Sequence, residues 1–134
     1  MPAFATPFWA IGGADTIRRL VEAFYPRVQA DPALAPIFPA DITPVMERQR
    51  LFLTQFLGGP GLYSATYGHP MLRARHLPHA ITPARRDAWL RCMAAALADI
   101  GLPADAREEV LARLAPVAAH MVNRQDAPDG ASTP

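Results

Sequence analysis

Apolar side chains recur every three to four residues along most of the chain, which is the spacing that one face of an α-helix produces. The first stripe predicts a helix over residues 15–30 and consists of Ile17, Leu20, Val21, Phe24 and Val28. Asp15 is expected to cap the start of this helix. Pro26 lies inside it, where a proline removes a backbone hydrogen bond, so we expect a kink or an early end there.

A second helix is predicted after a proline-rich connection at residues 31–41, which leaves room for at most one helical turn. Thr43 is expected to cap this helix, with Pro44 as its first residue, and the Gly58–Gly59 pair ends it. One polar residue interrupts its apolar stripe, which runs Val45, Gln49, Phe52, Leu53 and Phe56.

Two further long helices are predicted in the C-terminal half. The pattern breaks up over residues 61–81, where only a short turn around 72–76 is expected. Thr82 and Pro83 then repeat the cap-and-proline start of a helix that Gly101 ends. Its inner face carries Trp89, Met93, Leu97 and Ile100.

The fourth helix is predicted over residues 104–124, interrupted by Pro116. No alternating strand pattern occurs, so the sequence predicts an all-α fold. We expect one domain over residues 1–125 and a disordered tail over 126–134.

The composition limits the partners of the 134-residue chain. Its 13 basic residues, all arginine, balance 12 acidic ones without forming a basic stripe, so nucleic acid is not expected. The apolar start MPAFATPFWA lacks the positive flank of a signal peptide and the length of a membrane span. Cys92 is the single cysteine, which favours a reducing compartment, and we expect the protein in the cytoplasm.

Three polar side chains fall on or next to these apolar faces. Gln49 lies on the second stripe, Trp89 on the third, and Tyr25 one position off the first. A buried polar group without a partner is costly, so these groups either bond to one another or to backbone, or they line a pocket.

His76 is the candidate ligand for a metal, held before Pro78 with Arg73 and Arg75 nearby. A zinc site of His69, His76 and His79 is an alternative, although its spacing fits no common structural zinc pattern. If His76 holds a large planar group facing the polar side chains, the arrangement is that of a haem site with one imidazole ligand.

Several motifs resemble those of the truncated haemoglobins of group II, the small two-over-two globins. The resemblance runs in order from about residue 5 to residue 124. It is carried by FYPRV at 24–28, IFP at 37–39, FLTQFLGGP at 52–60, YGHPMLRARHLP at 67–78 and DAWLRCM at 87–93.

The resemblance implies a haem b group with His76 as the iron ligand. Tyr25, Gln49 and Trp89 would be the hydrogen-bond donors to a bound ligand. The apolar lining of that pocket is expected from Phe38, Val45 and Phe52, and the other cofactor contacts from Arg48, Arg75, Leu72, Tyr67 and Met93. His79 departs from the family pattern, which commonly has phenylalanine there.

The function that this resemblance implies is reversible binding of O2, CO or NO, and of anions in the ferric state, at one haem iron. Donors aimed at the ligand predict slow O2 release, and hence a redox role such as nitric oxide dioxygenation or peroxide reduction, served by an unknown reductase. A haem-based sensor acting through a partner is one alternative, and a haem-free helical protein is another. The oligomeric state is left open between monomer and homodimer.

Overall fold

The computed structural model describes residues 6–68, 71, 74, 76 and 79–126. Regular elements in these ranges are all helical, which confirms the predicted all-α class. In chain order they are α1 (Pro7–Ala10), α2 (Ala14–Ala30), a 3-10 helix (Ala35–Ile37), α3 (Thr43–Phe56), α4 (Leu62–Tyr67), α5 (Pro83–Asp99) and α6 (Ala104–Met121). None of the helices within these ranges has both the length and the apolar character that a membrane span requires.

The long helices form two pairs, α2 with α3 and α5 with α6, and α2 also packs on α5. Phe24 and Val28 of α2 and Met93 and Leu97 of α5 are fully buried. Their burial follows from the sequence, because each lies on the stripe that recurs at helical spacing. The core therefore lies between the pairs, and it fixes how α2 and α5 face each other.

The predicted start of α2 is wrong in detail. Gly13, at φ 73°, precedes the first helical residue, and no side chain caps the helix. Asp15 lies within the first turn, where its carboxylate pairs with Arg18. The glycine makes the turn into α2 possible because a positive φ is strained for other residues.

The starts of α3 and α5 differ although both carry Thr-Pro. Thr43 was expected as a cap but is itself the first residue of α3, and its backbone N–H donates to Asp41 Oδ1 at 3.1 Å. Thr82 does cap α5, as predicted, because its hydroxyl accepts from the backbone N–H of Arg85 at 3.2 Å.

Neither internal proline ends its helix. Helix α2 continues past Pro26 to Ala30, so the predicted early end is wrong. The adjacent Phe24 and Val28 are fully buried, and this packing offsets the backbone hydrogen bond that a proline removes. Helix α6 likewise contains Pro116 and ends at Met121, before the predicted end at residue 124.

Helices α1 and α4 were not predicted. They have four and six residues, too few to show a helical period in the sequence. Phe8 anchors α1, since its ring is buried and its N–H donates to the Leu57 carbonyl at 2.8 Å. Ala74 and His76 have helical backbone, consistent with the expected turn over 72–76, but residues 72, 73 and 75 lie outside the described residues.

Gly59 is required by the packing of α1 on the end of α3. A Cβ atom added there would lie 2.7 Å from carbon atoms of the Phe8 ring, closer than van der Waals contact allows. The neighbouring Gly58 has φ 96°, a conformation that favours glycine. The Gly58–Gly59 pair thus ends α3 and admits the Phe8 ring.

Replacing Gly59 with alanine is expected to lower the free energy of unfolding by about 1 to 3 kcal/mol, because the Phe8 ring must move out of its site. Gly61→Ala is the matched control, since the nearest atom to its added Cβ is 3.7 Å away and its φ is −75°. Urea unfolding of both variants measures the difference. Equal stabilities would contradict the packing role of Gly59.

Candidate functional site

A cavity of about 780 Å³ opens beside the core. Its volume lies in the range of pockets that hold cofactors or small ligands. The walls come from Tyr25 of α2, the 3-10 segment, α3, Tyr63 of α4, and residues 76, 79–81, 85 and 89. Because these elements are packed against one another through the core, the cavity is part of the fold.

The three predicted polar residues all line this cavity. Tyr25 comes from α2, Gln49 from α3 and Trp89 from α5. The Phe24 ring lies between two of them, in edge contact with Tyr25 at 4.8 Å and with Trp89 at 5.2 Å between ring centroids. Helix packing therefore fixes the two aromatic donors relative to each other.

The polar atoms of these side chains are not hydrogen-bonded to each other. Among the described residues, no partner bonds to the Tyr25 hydroxyl, the Gln49 amide or the Trp89 indole N–H. No side-chain polar atom within the described ranges is fully buried without a partner, so these groups face the open cavity. The expectation that they satisfy one another is not met, and three donors are available to a ligand.

The Tyr25 hydroxyl is held in its neutral form. Only 2% of the residue is exposed, and this burial raises the pKa of the phenol well above its ordinary value, with the charge of Arg48 acting weakly in the opposite direction. A neutral phenol donates a hydrogen bond, whereas a phenolate does not. Tyr25 is therefore a donor throughout the physiological pH range.

His76 lines the same cavity as the three donors. Its backbone carbonyl accepts from the N–H of His79 at 2.9 Å and from Nδ2 of Asn123 at 3.2 Å. His79 also lines the cavity, while His69 lies outside the described residues. Within the described part of the chain, no group of three or more His, Cys, Asp or Glu side chains could hold a metal ion.

The expected apolar lining is also present, since Phe38, Val45 and Phe52 all face the cavity. The Phe38 ring lies edge to face against the Tyr25 ring, with centroids 6.2 Å apart. The Phe52 ring stacks on the Phe56 ring. The walls around the donors are thus largely hydrocarbon, which strengthens any hydrogen bond made inside.

The expected cofactor contacts are only partly brought together. Arg48 lines the cavity and forms no ion pair with a described residue. Tyr67 and Met93 do not line it: Tyr67 is 40% exposed on α4, and Met93 is fully buried in the core. Arg75 and Leu72 lie outside the described residues.

Arg85 is a cavity residue that the sequence pattern did not indicate. Its guanidinium donates from Nε to the Ala33 carbonyl at 2.8 Å and from Nη1 to the Ala80 carbonyl at 2.7 Å. It thereby ties the segment after α2 to the segment before α5. Both acceptors are backbone atoms in loops, so no residue pattern could have paired them with Arg85.

A smaller recess of about 120 Å³ adjoins the cavity and shares His76, Gln49 and Trp89 with it. Its further walls come from α6 and include Leu114, Val117, Ala118 and Met121. These four residues recur at helical spacing on one face of α6, and this face borders the recess. A ligand that fills both spaces would touch the last helix as well as α2, α3 and α5.

Comparison with known proteins agrees with this site. A profile of the family described as bacterial-like globin matches residues 6–123. The chain belongs to the bacterial-like globin family. Group 2 truncated hemoglobin YjbI of Bacillus subtilis is 50% identical over 130 residues, which are 97% of this chain and 98% of that protein.

Solved structures give the same result. The group II truncated hemoglobin from Bacillus anthracis superimposes with a TM-score of 0.91 at 52% identity, covering 96% of this chain and 98% of that one. A truncated oxygen-avid haemoglobin from Bacillus subtilis gives a TM-score of 0.84 at 52% identity, covering 88% and 99%. These relatives confirm the predicted group II resemblance and the two-over-two arrangement of the helices.

Family membership implies that the chain binds haem. The residues present fit such a group, because the cavity combines the imidazole of His76, apolar side chains on several walls, and Arg48, which has no ion-pair partner among the described residues. The three donors also fit a bound ligand. They have no hydrogen-bond partner among the described residues, so only water or a ligand in the cavity can accept their bonds.

The raised pKa of Tyr25 predicts how stability depends on alkaline pH. The unfolded chain releases this phenol proton near its ordinary pKa of about 10, whereas the folded chain releases it only at higher pH. The stabilisation from the raised pKa is therefore fully present below about pH 10 and is lost as the pH rises above 10. Between about pH 9 and 11, the unfolding free energy of the wild type should fall more steeply than that of Tyr25→Phe. Urea unfolding measures both slopes, with Tyr67→Phe as an exposed control, and equal slopes would contradict the prediction.

Proposed function

We propose that this protein binds haem b through the imidazole of His76 and reversibly takes O2, CO or NO at the iron, with slow release of O2. The observation that carries the proposal is that Tyr25, Gln49 and Trp89 line one cavity with His76 and have no hydrogen-bond partner among the described residues. Haem held by the imidazole of His76 would supply an iron that binds a diatomic ligand reversibly.

The role of the three donors follows from their chemistry. The Tyr25 hydroxyl, the Gln49 amide and the Trp89 indole N–H each donate to a ligand held in the cavity, while the neutral state of Tyr25 keeps its proton available. Each such hydrogen bond contributes about 0.5 to 1.5 kcal/mol, and a difference of about 1 kcal/mol slows dissociation roughly fivefold. Three donors together favour slow O2 release. The similar Bacillus subtilis protein is named oxygen-avid, which supports this expectation.

The remaining wall residues exclude water and hold the cofactor edge. Phe38, Val45 and Phe52 present only hydrocarbon to the cavity, so these three side chains offer no hydrogen bond to the ligand. Arg48 is available to bind a carboxylate of the cofactor, since it has no ion-pair partner among the described residues. Arg75, Leu72, Tyr67 and Met93 stay predictions as cofactor contacts.

Slow O2 release favours a redox role over oxygen carriage. Nitric oxide dioxygenation and peroxide reduction are the reactions proposed. The first would need a reductase to return the iron to its ferrous state, and the second would need an electron donor that supplies two electrons for each peroxide. The sensor alternative stays a prediction, since it depends on a partner protein acting in trans.

The test of the iron ligand is the spectrum of the reduced protein with and without CO, before and after His76→Gly. The variant should lose the imidazole-ligated CO spectrum and regain it when free imidazole is added, because the vacated space admits the small base. His79→Gly is the matched control and should keep the wild-type spectrum, since His79 is exposed at the rim of the same cavity. A wild-type spectrum in His76→Gly would overturn the assignment.

The test of the donors is the O2 dissociation rate, measured by stopped-flow displacement with CO. Tyr25→Phe and Trp89→Phe should each raise the rate about fivefold or more, because each removes one donor while keeping an aromatic ring. Trp9→Phe makes the same change as Trp89→Phe at an exposed residue of α1 outside the cavity, and it should leave the rate unchanged. Unchanged rates in both cavity variants would remove the argument for slow release.

A further inference from the structure

The side chain of Asn123 bonds to three backbone groups around His76. Its Nδ2 donates to the carbonyl of His76 at 3.2 Å and to that of His79 at 2.9 Å, while its Oδ1 accepts from the N–H of Ile81 at 3.0 Å. Asn123 lies just past the end of α6, more than forty residues away in sequence. A single side chain thus links the end of the last helix to the backbone of His76, His79 and Ile81.

The chemistry of the three partners fixes the orientation of this amide. Two carbonyl oxygens face the nitrogen, which has two protons to donate, and one N–H faces the oxygen. A flipped amide would set its oxygen against two carbonyl oxygens and its nitrogen against an N–H. Aspartate could satisfy only the Ile81 N–H, and alanine or leucine none of the three groups. Asparagine therefore matches this position through both ends of its side chain.

The backbone around Asn123 is anchored independently of this amide. The N–H groups of Asn123 and Arg124 donate to the Ile81 carbonyl at 2.9 and 3.2 Å. Asp126 Oδ1 accepts from the N–H of Ala84, in the first turn of α5, at 3.0 Å. These contacts hold the chain after α6 in place, and the amide of Asn123 adds the bonds that reach the carbonyls of His76 and His79.

We propose that Asn123 is a positioning residue for the His76 imidazole, holding the backbone of the iron ligand from the end of α6. This inference rests on the proposed function, because it takes His76 to be the ligand. The backbone carbonyl of His76 is fixed relative to Ile81 and α6, and with it the direction in which the imidazole enters the cavity. The recess shared by His76 and α6 places the two within one wall of the site.

The experiment compares Asn123→Ala and Asn123→Asp with Asp126→Ala in the haem-loaded protein. Asp126→Ala is the matched control, because it removes a side-chain bond from the same segment to α5 and none to His76. The measurements are the iron–histidine stretching band of the ferrous ligand-free protein by resonance Raman, and the rate of haem transfer to excess apomyoglobin. Both Asn123 variants should shift or broaden the band and lose haem roughly five- to tenfold faster, as expected for the loss of hydrogen bonds to the ligand segment. The control should keep the wild-type band.

Asn123→Asp keeps the acceptor for Ile81, but it replaces the donor to His76 and His79 with a carboxylate oxygen that their carbonyls repel. It therefore tests those two bonds even if Asn123→Ala folds poorly. An unshifted band with an unchanged haem transfer rate in Asn123→Asp would overturn the positioning role. So would Asp126→Ala giving the same shift, since any loosening of the C-terminal segment would then suffice. Failure of the proposed function gives a different result: the iron–histidine band would persist in His76→Gly.

Discussion

Three hydrogen-bond donors, each from a different helix, face one cavity, and the function of this structure depends on the packing that brings them there. A polar group that is removed from water and finds no other hydrogen-bond partner destabilises the folded state by roughly 1 to 3 kcal/mol on mutational scales. Tyr25, Gln49 and Trp89 meet this requirement neither with one another nor with any described neighbour. None of these polar atoms is fully buried, so water in the cavity can bond to them and a ligand that enters can replace that water. The chemistry of the site follows from what can accept those bonds beside an imidazole.

The fold supplies this arrangement through helix packing. Each donor comes from a different long helix, and the core between α2 and α5 sets the distance between Tyr25 and Trp89 through the Phe24 ring. On the side of His76, the links are hydrogen bonds made by Asn123 and Arg85 to backbone carbonyls. Packing therefore orients the donors, and polar side chains fasten the segment that carries the imidazole.

The sequence predicted the parts of the site that repeat at helical spacing. Gln49 and Trp89 could be placed because they break or join an apolar stripe on a long helix. They meet at one cavity because α2 packs on both α3 and α5. The links made by Asn123 and Arg85 could not be predicted, since their partners are backbone atoms far away in the chain. Short helices and cap details were missed for a related reason: the start of α3 depends on Asp41 and the local backbone, which periodicity does not report.

The apolar recess along α6 makes the amount of folded protein in the cell depend on the supply of its cofactor. Leu114, Val117 and Met121 border a space that water fills poorly, so a chain without its prosthetic group lacks packing on one side of its last helix. A ligand that binds only the folded form raises the folded population by mass action. Cells short of iron or porphyrin would therefore hold less of this protein even at constant synthesis, because the unloaded form unfolds more often and meets proteases sooner.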